Sequence, residues 1–465
     1  MSVMARLRRR TRGEGDQGSA MITVILMGAV LTSLAAALMA STLAEASRSG
    51  QAVTKSTSMA AAEAGVDNYI SKLTEDRNYY THYVHPAEAT RGDSSGHVGT
   101  PGQTWTGAAT WTYPNGKDRW AGLGNGYEYD LQIAPPSTGS QLVKVTSTGR
   151  KAGSATDRRT LEVLVRAASV ADFQMVSNAD VSYGSTATTR GKLYAGIDST
   201  GRKHNINHDG TAYGNLYAEG SITGSVSYQN GAKSYNSSTI RAVVPNPIAF
   251  STFTSSLVDV KAAAKNAGGI YLDNTSIDAW KLTFNSSGTV TIATCMRAYA
   301  YSSYRDIAET APACTTTSTV TIPSIGAIYT NQSTIVSGTV KGQVTVASND
   351  DIVIADTLSY ATPGVDVLGL IAKNDMVVAA YVPYDLNWTA ATVAQNGQWR
   401  SYAQSTDHGT MTFTGSTATN GGGYMSMFAT RNYVYDSNLL YLQPPYFPLI
   451  LDTYTVVSFR ELPPS

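Results

Sequence analysis

From Ala20 to Ala40 the chain carries no charge, and Ala, Leu, Met, Ile and Val fill most positions. At about 1.5 Å per residue, a helix of this length just crosses a bilayer core of roughly 30 Å. The helical pattern does not stop there. Ser41 to Leu73 contains no proline and only two glycines, Gly50 and Gly65, among good helix formers. One element over residues 19–75 is predicted, roughly 80 Å long, apolar first and amphipathic afterwards.

Periodicity is lost between Arg77 and Pro101 among Tyr, His, Gly and Ser, which reads as a loop. Alternating runs then appear at Thr104–Tyr113, Tyr127–Ile133, Leu142–Thr148 and Arg159–Val165, the last two joined by a turn over Gly149–Gly153. Four antiparallel strands laid on the outer half of the helix would form a small head over residues 76–168. After Ala168 charges thin out and glycines punctuate short runs, as in Gly191–Gly196, Gly210–Val226 and Gly338–Val346. Asp351–Ile354 and Asp375–Val378 continue that rhythm. Short strands separated by polar or Gly corners predict a parallel β-helix or related solenoid, its first part over residues 169–245 and its second, with C-terminal strands, over residues 331–465. No strict period is visible, and a β-sandwich also fits the short strands.

Residues 246–330 break the rhythm. Phe250, Phe253, Leu257, Val260 and Ala264 recur at helical spacing, and Gly268–Gly269 ends that helix. A hairpin over Ala279–Phe284 and Thr289–Thr294 follows, so a capping or lateral insertion is expected. The fold class is therefore mainly β with one long N-terminal α-helix, an antiparallel head and a β-helix-like domain.

Arg6, Arg8, Arg9, Arg10 and Arg12 precede the apolar run and place its start in the cytoplasm and the rest outside. Three readings compete: a secretory signal peptide cleaved near Ala40–Ala46, a plain signal anchor, and a leader (residues 1–18) cut before the apolar run. The order basic leader, Gly18, apolar helix, then Ala60-Ala61-Ala62-Glu63-Ala64-Gly65 resembles the PilX-type pilin-like proteins of type IV pilus systems. The Val145–Arg150 segment is similar to the strand-turn of pilin heads. Leu368–Asp375 and Tyr435–Pro448 resemble a β-helical module that follows such N-termini. The resemblance implies cleavage by a prepilin peptidase after Gly18, with Ser19 as the new N-terminus. Partners implied are other pilin subunits, the pilus assembly machinery and the cytoplasmic membrane. Many major pilins carry a glutamate at the fifth mature position; here it is Thr23, which suits a minor pilin. Gly28, Ala29, Ser33 and Ala36 would let neighbouring membrane helices approach closely.

Composition changes this picture little. Formal net charge is zero with 15% charged residues, which leaves no footprint for nucleic acid. The two cysteines, Cys295 and Cys314, favour one disulfide in an exported chain, the alternative being two buried thiols. No cofactor or metal is expected. His204 and His208 have i, i+4 spacing, but in a polar stretch that reads as a surface loop. Asp350–Asp351 reads as a solvated corner, not a catalytic carboxylate pair. Gly421–Gly423 reads as a turn. Tyr299, Tyr301 and Tyr304, with Trp388, Trp399 and Tyr402, are expected to seal the core, or else to stack on a glycan or protein ligand. A non-enzymatic, surface-displayed structural protein is the expectation, with a binding module or a polysaccharide-acting enzyme as alternatives.

Overall fold

The computed structural model describes residues 54–75, 79–81, 111–112, 120–134, 136, 142–244, 246–250, 253–297, 305–403 and 405–463. Helix α1 covers residues 54–75. Its buried face, Ser58, Ala62, Val66, Tyr69 and Leu73, repeats every three or four residues and lies on an antiparallel sheet. Opposite it stand Leu131, Ile133, Val143, Val145, Leu161 and Val163, alternate residues of strands Tyr127–Ala134, Val143–Lys151 and Arg158–Ser169. Gly149, expected in a turn, instead lies inside Val143–Lys151, and the hairpin tip falls beyond Lys151.

The sheet is completed from far along the chain. Leu449–Leu462, grouped by the pattern with the second solenoid part among the C-terminal strands, pairs antiparallel with Arg158–Ser169. Its alternation suits any sheet edge, so only tertiary placement chose its partner. The whole solenoid is thus inserted between two neighbouring strands of the head.

That solenoid is a parallel β-helix with three sides, not a sandwich. One side can be followed in register through ten strands: Ile270–Leu272, Ala327–Thr330, Gln343–Ser348, Val367–Ala372, Leu386–Ala394, His408–Thr419, Met175–Ser177, Leu193–Ala195, Leu216–Ala218 and Ser234–Tyr235. Spatial order differs from chain order. The chain leaves the head, enters the middle of the stack at Met175 and winds to one end at Tyr235. It then returns outside the stack, starts again at the far end with Ile270, and winds back until Ala418 lies beside Val176. This joint is the seam of the solenoid. Outside the cap, coils vary from 16 residues (Ile206 beside Ile222) to 30 (Leu358 beside Trp388), which hid the period.

Alternate residues of this side point outward in one ladder: Tyr271, Tyr329, Ala347, Ile371, Val393, Ala418, Val176, Tyr194, Tyr217, Tyr235. Helix α2, Phe253–Asn266, covers its first rungs with Phe253, Leu257, Val260 and Ala264. Lys261 and Lys265 lie over the Tyr329 and Tyr271 rings at 5.0 and 5.5 Å. The amphipathic helix thus closes an apolar stripe that the coils expose on their outside. Beyond the Ile270 end, strands Ala279–Asn285, Thr289–Met296 and Ala313–Thr321 extend the second side as an antiparallel cap. Cys295 and Cys314 face each other there and are bonded. The region expected to interrupt the solenoid therefore caps it, and also contributes two of its rungs, Ile270–Leu272 and Ala327–Thr330.

Candidate functional site

Two parts of the molecule bear on function: the seating of α1 on the head, and the seam. At the first, a Cβ on Gly149 would fall 2.1 Å from the Ser58 carbonyl oxygen and 2.4 Å from the Ala62 nitrogen. One on Gly65 would fall 2.4 Å from Ser147 Oγ and 2.7 Å from the Tyr129 ring. Helix and strand touch backbone to backbone there, which explains the small residues of Ala60–Gly65. Glu63 is exposed, on the solvated side with Lys55 and Asp67. Gly18, Ser19, Gly28, Ala29, Ser33 and Ala36 lie outside the described residues, as does the apolar run. Among the described residues no helix is long and apolar enough to cross a membrane.

The head and solenoid meet at a buried polar clamp. Arg166 pairs with Asp172, and its Nε donates to the Leu440 carbonyl at 3.0 Å. Ser169 caps the following turn, accepting from Ala171 N, while Asp172 accepts from Ser169 N. Ser169 Oγ also donates to the Pro448 carbonyl at 2.9 Å, and Gln443 donates to Asp172 at 3.3 Å. Both chain crossings are held by one ion pair, so the head carries the solenoid on a fixed neck. The spacing Ser169-x-x-Asp172 is a legible cap signal; the role of Arg166 is not, because the Leu440 carbonyl it holds lies 274 residues away, as the Gln443 that joins Asp172 lies 271 away.

The residues singled out for chemistry do not converge. His204 and His208 are buried, correcting the surface-loop reading. His204 sits between Asp180 and Asp198, with 3.3 Å to each. His208 Nδ1 accepts from Gly210 N at 3.0 Å, which leaves Nε2–H to donate to Thr189 Oγ1 at 3.1 Å. Burial lowers its pKa, with Asp209 pulling the other way. Asp351 is also buried, not solvated. Its Oδ1 accepts from Asp375 N, Oδ2 has no partner among the described residues, and burial raises its pKa to about 7. The polar corner simply turns inward, because Ile352 to Ile354 carry the chain back into the core. Tyr299, Tyr301 and Tyr304 lie outside the described residues, whereas Trp388 and Trp399 stack in the solenoid interior at 5.7 Å.

At the seam the first side is continuous, but the second is not. Gly423–Tyr424 pairs with Trp399–Ser401, and Val181–Tyr183 with Ile206–His208; among the described residues nothing pairs the two with each other. On the third side the arms meet at one pair, Tyr433 with Thr189. A cleft of about 600 Å³ is left. Its floor is Met175, Tyr183, Trp399, Met425 and Tyr433, buried or half-buried. Its rim is polar and exposed, with Ser182, Arg431 and Asn432 beside the half-buried Tyr424. Burial pushes the Tyr433 phenol up to about 12, so it stays neutral. No sequence signal marked the cleft, since its walls come from coils some 240 residues apart that are neighbours only because of the stacking order.

Neither protein-family models nor curated proteins give a match to the chain. Among solved structures, it is similar to the crystal structure of the competence-associated pilin ComZ from Thermus thermophilus. Identity is 14%, the alignment covers 88% of this chain and 97% of that one, and the TM-score is 0.26. A superposition this loose carries no argument about fold or function.

Proposed function

We propose that this chain is a membrane-anchored, pilin-like structural subunit that displays a large β-helix outside the cytoplasmic membrane as part of a type IV pilus or related surface filament. The observation that carries the reading is the glycine-seated packing of α1 on an antiparallel sheet. A helix locked to its head in this way transmits position from the apolar run, residues 20–40, to everything beyond it. The fixed neck supports the same reading, because it makes the solenoid an extension of the head rather than a tethered module. Processing after Gly18 would leave Ser19 as the N-terminus, and Gly28, Ala29, Ser33 and Ala36 would pack against neighbouring pilin helices. The work is then assembly and display, without catalysis.

Intact mass and N-terminal sequencing of the membrane-extracted protein test this, with and without the prepilin peptidase. A chain starting at Ser19 only when the peptidase is present supports the reading. A chain retaining Arg6 to Arg12 in both cases, or one starting after Ala40, overturns it.

A further inference from the structure

At the seam the first side runs on unbroken, the third is joined only at Tyr433 and Thr189, and the second stays open above the core. The volume of the cleft falls within the usual range for small-ligand sites, about 300–1,000 Å³. The floor is apolar, built from aromatic rings and thioethers. Trp399 is 2% exposed, and its Nε1–H finds no acceptor among the described residues. A buried donor without a partner is unfavourable, and a ligand oxygen that reached it would relieve that cost. The rim adds hydroxyl and amide groups at Ser182, Thr186, Ser426, Thr430 and Asn432. An apolar floor beneath a dense ring of small hydrogen-bonding groups matches a sugar, which offers a C–H face and many hydroxyls.

Charge narrows the class. Two charged residues line the cleft, Asp180 and Arg431. Asp180 is already engaged: Arg202 Nη2 donates to it at 2.8 Å, Asn205 N at 2.8 Å, and His204 Nδ1 lies at 3.3 Å. Arg431 is exposed and forms no ion pair among the described residues. A guanidinium of this kind fits a carboxylate with two parallel hydrogen bonds. An extended peptide suits the cleft poorly, because the facing strand edges, Val181–Tyr183 and Gly423–Tyr424, are only three and two residues long. A nucleic acid strand suits it poorly too, since one arginine neutralises little of a phosphate backbone.

We propose that the seam cleft binds a short oligosaccharide carrying a carboxylate, with a sugar ring on Tyr424 and the carboxylate on Arg431. The site does not depend on the pilin reading, and a failure of either leaves the other standing.

The test is calorimetric titration of the detergent-solubilised full chain with trigalacturonate, sialyllactose and neutral galactotriose, alongside oligothymidylate. At least one acidic sugar should bind about tenfold tighter than galactotriose. Arg431→Gln should remove that preference, and Tyr424→Ala should weaken every sugar about tenfold. Both residues lie at the rim, and circular dichroism checks that the variants stay folded. The proposal is overturned if no sugar binds at about 10 mM, which is weaker than any specific site would show. It is equally overturned if Arg431→Gln leaves the acidic preference intact, or if oligothymidylate binds better than the sugars.

Discussion

The two arms of the β-helix share one ladder yet are held together differently. The arm from Ile270 to Val434 is filled by long columns of Ile, Val and Leu, such as Ile335, Val353 and Val377, with Trp388, Trp399 and Phe413 packed at its seam end. The arm from Met175 to Tyr235 has strands of two or three residues and a thin core around Val181, Leu193, Ile206 and Leu216. It leans on polar ties instead. Tyr194 donates to the buried Glu219 at 2.7 Å, Glu219 pairs with Arg241, and Ile248 N donates back to the Tyr194 hydroxyl at 3.1 Å. The strap after Tyr235 is thereby buttoned onto the ladder. The ends differ as well: one is extended by a disulfide-bonded cap, while the other finishes on exposed short strands, a form that discourages edge pairing. In a stacked array each coil depends on its neighbours, so a thin arm next to a thick one should open by itself.

The largest effect should separate the arms directly. Leu216→Ala and Leu370→Ala delete matched inward residues of the same side, each fully buried and each worth about 2–5 kcal/mol. In the thin arm the loss should abolish amide-exchange protection from Val181 to Tyr235, with the thick arm unchanged. In the thick arm it should lower protection only in the coils around Leu370. Equal, global loss from both would show the two arms to be one cooperative unit.

The next effect is in pH. Asp351, in the thick arm, has a folded pKa of about 7, above the ordinary carboxylate value. Its folded form prefers the proton, so stability is highest below about pH 4 and is lost as pH rises toward 7, on the order of a few kcal/mol. Asp351→Asn should flatten that loss and raise the melting temperature at pH 8; no gain there would mean Oδ2 has a partner after all. The smallest effect runs the other way in the thin arm. His208 has a lowered folded pKa, so its unfolded form takes the proton first and stability falls as pH drops below about 6.5. A proton on Nδ1 would also displace the Gly210 N–H. His208→Gln should remove this acid sensitivity, read as exchange rates of residues 206–212 between pH 7 and 5.

Legibility followed the same divide. The amphipathic face of α2 was readable because Phe253, Leu257, Val260 and Ala264 recur at the helical period, whatever they pack against. The hairpin over Ala279–Met296 and the head strands were readable from alternation and turn residues. A trace of the coil repeat stands in the sequence all the same: a small residue closes seven consecutive first-side strands, in the aligned series Ser348, Ala372, Ala394, Thr419, Ser177, Ala195 and Ala218. Unequal coil lengths blurred it. The burial of Asp351, His204 and His208 is not legible from polar composition, because hydrogen bonds made inside the stack hold both histidines and one oxygen of Asp351.

Local pattern alone determined that this protein has an amphipathic helix ahead of an antiparallel head, stacked short strands and one inserted helix. Those features depend on periods of two and 3.6 residues, which any stretch of chain carries within itself. Tertiary structure alone decided that Leu449–Leu462 closes the head sheet, that the second half of the solenoid docks behind the first, and that a cleft opens where they meet. Each of these pairs strands separated by hundreds of residues, and a strand's pattern states which face it buries but not which edge it will find.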